Sequence, residues 1–366
     1  MSGPGLLTLT MIVKNEAHGI ARTLSSVRPH VDRWCILDTG STDGTQTAVR
    51  DAMASVPGTL HEEPFVDFAT SRNRGVELCG TETDFILWLD ADDELQGGEA
   101  LRRFLAKERA HADRDAYYVR IAMSGNVFDS ARVFGSRSAW RFTGVVHEVL
   151  THAELGAPKR RIEGVTVVHH TEAASEARSR ARWERDVALL ERETTRDPAA
   201  TRPAFYLGLT LYWLGRYDEA IAALDRRIHL GGWAEEVFHA RLTKARAAGA
   251  AKRPWDSVLA MYLEAHSAAP HRAEPLHDVA LHYDAAGDHA LALLFARRAY
   301  ELPLPAKDTL FVEHEVYQWR AADLVGTHAY WVGERALGEA AAAKAARAVP
   351  GNERLAKNLS FYRQRL

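Results

Sequence analysis

From Leu7 to His169 the hydrophobic pattern alternates between strand and helix periods. Leu7 to Val13 reads as a strand, and Gly19 to Val27 spaces its apolar residues as a helix does. Trp34-Cys35-Ile36-Leu37 is a second short apolar run that ends at Asp38. The turn Thr39-Gly40-Ser41-Thr42-Asp43-Gly44 is built from residues that cap helices and accept left-handed backbone, and Thr45 to Ala54 then has helical spacing. Leu60 to Glu62 is a brief strand and Phe68 to Leu78 a helix. Phe85 to Leu89 is an uninterrupted apolar run, the kind buried on both faces of a parallel sheet. This βαβα rhythm predicts a doubly wound α/β sheet. After Glu94 the candidates Tyr117 to Ala122, Ala131 to Phe134 and Val165 to His169 are strands separated by loops, so the sheet is expected to become mixed.

From Ala173 the strand signals vanish and Ala, Leu, Arg and Glu recur at helical spacing. Tyr206-Leu207-Gly208 through Leu214-Gly215-Arg216-Tyr217-Asp218-Glu219-Ala220-Ile221 matches the tetratricopeptide pattern of a small residue, then Leu-Gly, then Tyr and Ala. Ala248-Gly249, Ala286-Gly287 and Val332-Gly333 are candidate turns of later units, and Pro270, Pro303 and Pro350 each follow a helical run. A stack of paired helices is expected over a generic bundle, because one such unit cannot bury its apolar face alone. Two domains follow: 1–172, α/β, and 173–366, helical.

At 366 residues there is room for two cores. The net charge of −3, with no strongly basic half, gives no reason to expect a nucleic-acid partner. Cys35 and Cys79 both sit in apolar contexts and read as small core residues, which fits a reducing compartment. No leader pattern and no span of membrane-crossing length is visible, so a cytoplasmic protein without a membrane span is expected.

Candidate chemistry begins at Phe85-Ile86-Leu87-Trp88-Leu89-Asp90-Ala91-Asp92-Asp93-Glu94, where the apolar run meets a cluster of carboxylates. Open α/β sheets bind ligands at the carboxyl ends of their strands. Asp90 and Asp92 are two apart and would share one crevice if the strand is still extended there. Close carboxylates repel unless a cation or donors compensate, and hard oxygen ligands suit Mg2+ or Mn2+, metals that in turn suit a diphosphate. The plain alternative is a solvated acidic turn.

Four motifs in order resemble family 2 glycosyltransferases of the GT-A fold, a Rossmann-like mixed sheet. They are Met11-Ile12-Val13-Lys14-Asn15-Glu16, Leu37-Asp38-Thr39-Gly40-Ser41-Thr42-Asp43-Gly44-Thr45, Ser71-Arg72-Asn73-Arg74-Gly75 and Trp88-Leu89-Asp90-Ala91-Asp92-Asp93-Glu94. The helical remainder resembles the repeat tails of one subgroup, which includes the peptide S-glycosyltransferases of the sublancin type.

The resemblance implies a nucleotide-binding role for Val13, Lys14 and Glu16, with Asp38 accepting the imide N–H of a uracil and Arg72 facing the nucleotide. Glu16 alone could equally be a carboxylate at a helix N-terminus. Asp43 is expected to cap the helix after it. Within Asp90-Ala91-Asp92, the family's first carboxylate contacts the ribose or the metal and the second coordinates the cation. His169 would be a third metal ligand, although His170 and Thr171 stand where relatives carry an aromatic residue and glycine, which leaves open which histidine faces the metal. Trp140-Arg141-Phe142-Thr143-Gly144-Val145-Val146-His147-Glu148 resembles the acceptor side, with His147 beside the acceptor and Trp140 either stacking on a sugar or, as the plainer reading, a core tryptophan. An inverting transferase needs one base. Glu148 is the first candidate and Asp93 the second.

The expected activity is metal-dependent, inverting transfer of a sugar from a nucleotide-diphosphate sugar, UDP-linked, to an acceptor. The helical tail would present a peptide or protein acceptor, or make a homodimer. The alternatives are a saccharide or lipid-linked glycan acceptor, and a catalytically silent peptide-binding scaffold.

Overall fold

The computed structural model describes residues 5–123, 126–152, 154, 159–170 and 176–363. Thr171 and the expected boundary between 172 and 173 lie outside them. The chain forms two compact units, Met1–Arg182 and Trp183–Leu366.

The first unit is built on an eight-stranded mixed sheet. Strands β1 (Gly5–Val13), β2 (Arg33–Asp38), β3 (Gly58–Glu62) and β4 (Thr83–Trp88) are mutually parallel. Beyond β4 come β7 (Asn126–Gly135), β6 (Ala116–Met123), β10 (Lys159–His169) and β5 (Asp93–Gln96), in the order β3-β2-β1-β4-β7-β6-β10-β5. Antiparallel β7 and β5 make the sheet mixed, as expected. The side-chain period of two divides the core. Phe85 and Leu87 face a cluster with helices α1 (Ile20–Val27), α2 (Thr45–Met53) and α4 (Gly98–Glu108). Ile86 and Trp88 face helix α3 (Phe68–Cys79) and the hairpin of β8 (Arg141–Thr143) and β9 (Val149–Thr151). Both faces are covered, which is why β4 is apolar throughout its second half.

The condition for Asp90 and Asp92 to share a face by strand alternation is not met. The chain turns after Trp88, with the Asp93 amide donating to the Asp90 carbonyl (3.2 Å), and re-enters the sheet as β5 beside β10. The Asp93 carboxylate closes the turn by accepting from the Asp90 amide (2.9 Å).

The second unit is a run of antiparallel helix pairs: α6 (Thr201–Trp213) with α7 (Tyr217–Leu230), α8 (Ala234–Ala250) with α9 (Trp255–Ala268), α10 (Glu274–Ala285) with α11 (His289–Glu301), and α12 (Ala321–Trp331) with α13 (Arg335–Ala348). Helix α5 (Glu176–Arg196) precedes them and α14 (Glu353–Arg363) follows. Four turns repeat one hydrogen bond, from the amides of Arg216, Arg253, Asp288 and Glu334 to the carbonyls of Leu211, Ala248, Tyr283 and Ala329. Gly215, Gly287 and Gly333 adopt the left-handed conformation this motif needs. In the second pair, Gly249 lies inside α8 and Lys252 (φ 56°) takes the left-handed position, so the expected turn at Ala248-Gly249 falls later. About two helical turns before each left-handed residue sits a small buried one: Gly208, Ala245, Ala280 and Gly326. A Cβ on Gly208 would lie 2.5 Å from Leu224 of the partner helix, so the pair packs only because that position is small.

Candidate active site

The carboxyl ends of β1, β2 and β4 place the first, second and fourth motifs along one edge of the sheet, and the third lies on α3. Val13 ends β1 and is buried; Lys14 is exposed. Asn15 follows in a left-handed conformation (φ 57°). Its side chain accepts from the Thr42 amide and its amide donates to Ser41 Oγ, while the Glu16 amide donates to Thr45 Oγ1. The first motif is thus laced to the second by bonds that each join a backbone amide to a side chain. Asp43 accepts from the Ala17 and Thr45 amides, while Gly44 occupies the N-cap position of α2. Asp38 ends β2 fully buried. Its Oδ1 accepts from the Gly40 and Ser41 amides, both at 2.8 Å, and its Oδ2 is buried without a hydrogen-bond partner.

Arg72 projects from α3 and joins two distant segments. Its Nη2 donates to Asp90 and its Nε to Glu148, each at 2.6 Å, with the guanidinium 4.3 Å from the Trp88 ring centre. Burial pushes the Arg72 pKa down, but Asp90 and Glu148 outweigh it and the net shift is upward. Beside it, Asn73 makes two 2.8 Å bonds to the N–H and C=O of Phe142, a side-chain copy of a strand pairing that pins β8 to α3.

A second arginine was not anticipated from the sequence. Arg132, on β7, lies 3.7 Å from the Trp88 ring centre and pairs with Asp90 (3.3 Å) and Asp93 (3.1 Å). Burial pushes the Asp90 carboxyl up, but Arg72 and Arg132 together hold it far below the ordinary carboxylate range. The only signal for Arg132 in the sequence is a lone cation inside the apolar run Ala131 to Phe134, which must find a partner once buried.

Among the described residues, Asp92, Asp93 and His169 form a cluster that could hold a cation, with one ligand atom of each within 4.8 Å of the others. The β10–β5 register sets His169 opposite Asp93. His169 Nδ1 lies 2.9 Å from Asp93 Oδ1 and 3.4 Å from Asp92 Oδ1, whereas His170 pairs with Glu94 (2.7 Å). The hydrogen bond to Asp93 raises the His169 pKa against the effect of burial. Burial, with Asp90 and Asp93 nearby, raises that of Asp92. Asp92 is the more open carboxylate, 39% exposed in its side chain, while Asp93 is fully buried with both oxygens engaged. Ala91 is buried between them and its carbonyl accepts from Thr23. Two carboxylates and an imidazole are a donor set that fits a divalent cation such as Mn2+ or Mg2+.

On the hairpin side, Glu148 uses Oε1 for Arg72, and His147 is exposed in a left-handed conformation (φ 51°). Trp140 is 1% exposed and donates its indole N–H to the Arg114 carbonyl, so it packs in the core and offers no face to an acceptor.

Residues 8–148 match the model of glycosyl transferase family 2. The chain is 26% identical over 227 residues to the SPbeta prophage-derived glycosyltransferase SunS of Bacillus subtilis, covering 61% of this chain and 53% of that protein. It is 40% identical over 89 residues to a TPR repeat-containing protein of Synechococcus elongatus, covering 24% and 21%. An uncharacterized glycosyltransferase of Rickettsia felis is 35% identical over 85 residues, covering 23% and 28%. The chain spans about half or less of the length of these relatives. This chain carries a glycosyl transferase family 2 domain, followed by tetratricopeptide-like helical repeats.

Proposed function

We propose that the chain is an inverting glycosyltransferase that uses a divalent cation and a nucleotide-diphosphate sugar, with UDP as the carrier. The observation that carries this reading is the convergence at the sheet edge: Arg72 spans Asp90 and Glu148, with Asp92 and His169 alongside. The unpartnered Asp38 Oδ2 supports the choice of uracil, whose imide N–H would satisfy it. Asp92 and His169 would hold the cation, with Asp93 orienting the imidazole behind them. When bound, the cation offsets charge on the departing diphosphate.

Asp90, held ionised by two arginines, is left to receive the ribose hydroxyls rather than the cation. Glu148 accepts the proton of the acceptor nucleophile as the new bond forms to the anomeric carbon and the carbon–phosphate-oxygen bond breaks. Its carboxylate has one oxygen fixed by Arg72, which leaves the other to face the acceptor. The helical repeats are assigned to a peptide or protein acceptor.

Thermal stability is to be measured across a panel of nucleotide sugars with and without Mn2+. One UDP-sugar should raise the melting temperature only with metal, and Asp92→Asn should lose both that shift and metal-dependent hydrolysis of the sugar nucleotide while staying folded. Glu148→Gln should keep the shift and lose transfer. Wild-type hydrolysis and metal dependence in Asp92→Asn would remove the cation assignment.

A further inference from the structure

Most connections in the helical unit are tight turns, but the chain between α11, which ends at Glu301, and the helical turn Val316–Arg320 is long. Its Leu302 and Val312 pack against the cluster that holds Ala299 of α11 and Val316 and Tyr317 of the helical turn. Residues 308–313 also reach the first helices of the earlier pairs and make contacts of the kind an extended peptide makes with a receptor. Glu235, at the start of α8, accepts from two successive amides, Thr309 and Leu310, each at 2.7 Å. The Phe311 ring lies 4.9 Å from the His239 ring on α8 and stacks at 6.5 Å on Phe205 of α6. The Glu313 carboxylate pairs with Arg246 on α8 at 2.7 Å. Asp308 pairs with Arg272 (3.2 Å), and the same arginine donates to the Phe311 carbonyl (3.2 Å).

Two features mark this segment as a ligand-like occupant rather than ordinary packing. Phe311 is held in a left-handed conformation (φ 46°), which a bulky side chain adopts only when its surroundings impose it. Phe311 nevertheless remains 44% exposed, so His239 and Phe205 cover only part of its surface. An internal segment that strains its backbone and leaves its aromatic anchor partly exposed is replaceable by a better-fitting one.

We infer that residues 308–313 are a built-in ligand occupying a peptide-binding face on α6, α8 and the segment leading into α10. The partner that fits this face is an extended peptide with an acidic residue, an aromatic residue three positions on and a second acid two further. The built-in segment states that pattern itself as Asp308, Phe311 and Glu313. Tethering gives the internal segment a high effective concentration, so it sets the threshold an incoming peptide must pass. If the face is open one time in about ten, the apparent dissociation constant of the external peptide is weakened about tenfold. This inference rests on assigning the helical unit to the acceptor or another peptide. It is tested by binding without donor or metal, so it fails or stands separately from the sugar-transfer chemistry.

The probe is a fluorescein-labelled peptide with the sequence of residues 306–314, added to the full chain and followed by anisotropy. The double variant Phe311→Ala/Glu313→Gln, with its fold checked by circular dichroism, should bind the probe at least tenfold tighter than wild type. Adding Arg246→Gln to it should remove the gain. Equal affinity in wild type and the double variant, or equal binding of a scrambled probe, overturns the inference. A readout on the wild-type protein guards against a variant that fails to fold. The highest probe concentration should speed hydrogen exchange at the Thr309 and Leu310 amides while the α8 amides stay protected. Unchanged exchange at those two amides also overturns it.

Discussion

At the residue scale, the site is an arrangement of buried charge. Asp90 and Asp93 carry negative charge beneath a sheet edge, and Arg72 and Arg132 answer it from opposite directions in the chain. Both arginines lie against the Trp88 ring, which replaces part of the water they lose. Arg132→Met should therefore destabilise the first unit by about 3–5 kcal/mol, because Asp93 is left buried with its arginine gone. Urea unfolding measures it, and a loss below about 1 kcal/mol would show that Asp93 does not depend on Arg132. Most of the named residues were legible because carboxylates after an apolar strand, and a histidine closing one, are local patterns. Arg132 was not, because its meaning depends on three partners far away in sequence. For Trp140, in an acceptor-like motif, the fold takes the core option of the two that the sequence left open.

At the element scale, two consecutive residues of α3 divide the work. Arg72 reaches the acidic turn and Glu148, while Asn73 clamps β8 and thereby the hairpin that carries Glu148. Asn73→Ala leaves the Phe142 N–H and C=O unpaired, a cost of about 1–3 kcal/mol. Its functional signature is sharper than its cost. Calorimetric titration should find affinity for the nucleoside diphosphate retained, while turnover falls because Glu148 loses its fixed position. Equal turnover in the variant and wild type would relieve Asn73 of a positioning role. Strands β1, β2 and β4 and the paired helices were legible, since each repeats a period long enough to read. Strands β5, β8 and β9 were not. They are three or four residues long, and β5 begins in an acidic cluster that reads locally as a turn. Lys252 was missed for a similar reason, because lysine carries no signal for the left-handed position that glycine fills in the other three turns.

At the scale of the whole molecule, two units each hold their own core. Scanning calorimetry should resolve two transitions. UDP with Mn2+ at about a hundred times its dissociation constant should stabilise one of them by about 2.7 kcal/mol and leave the other in place. Equal movement of both would mean that the units do not unfold independently. Among the described residues no helix is long and apolar enough to cross a membrane. The sequence by itself determined the order of α/β sheet and helical repeats, the motifs at the strand ends and the residue types able to meet a cation and a nucleotide. Periodicity and strand-end chemistry are local, so a single chain displays them. Tertiary structure alone decided that His169 rather than His170 joins Asp92 and Asp93, that two arginines claim Asp90, and that residues 308–313 lie along α8. Those outcomes depend on strand register and on loops that return across many residues, and such juxtapositions exist only once the whole core has packed.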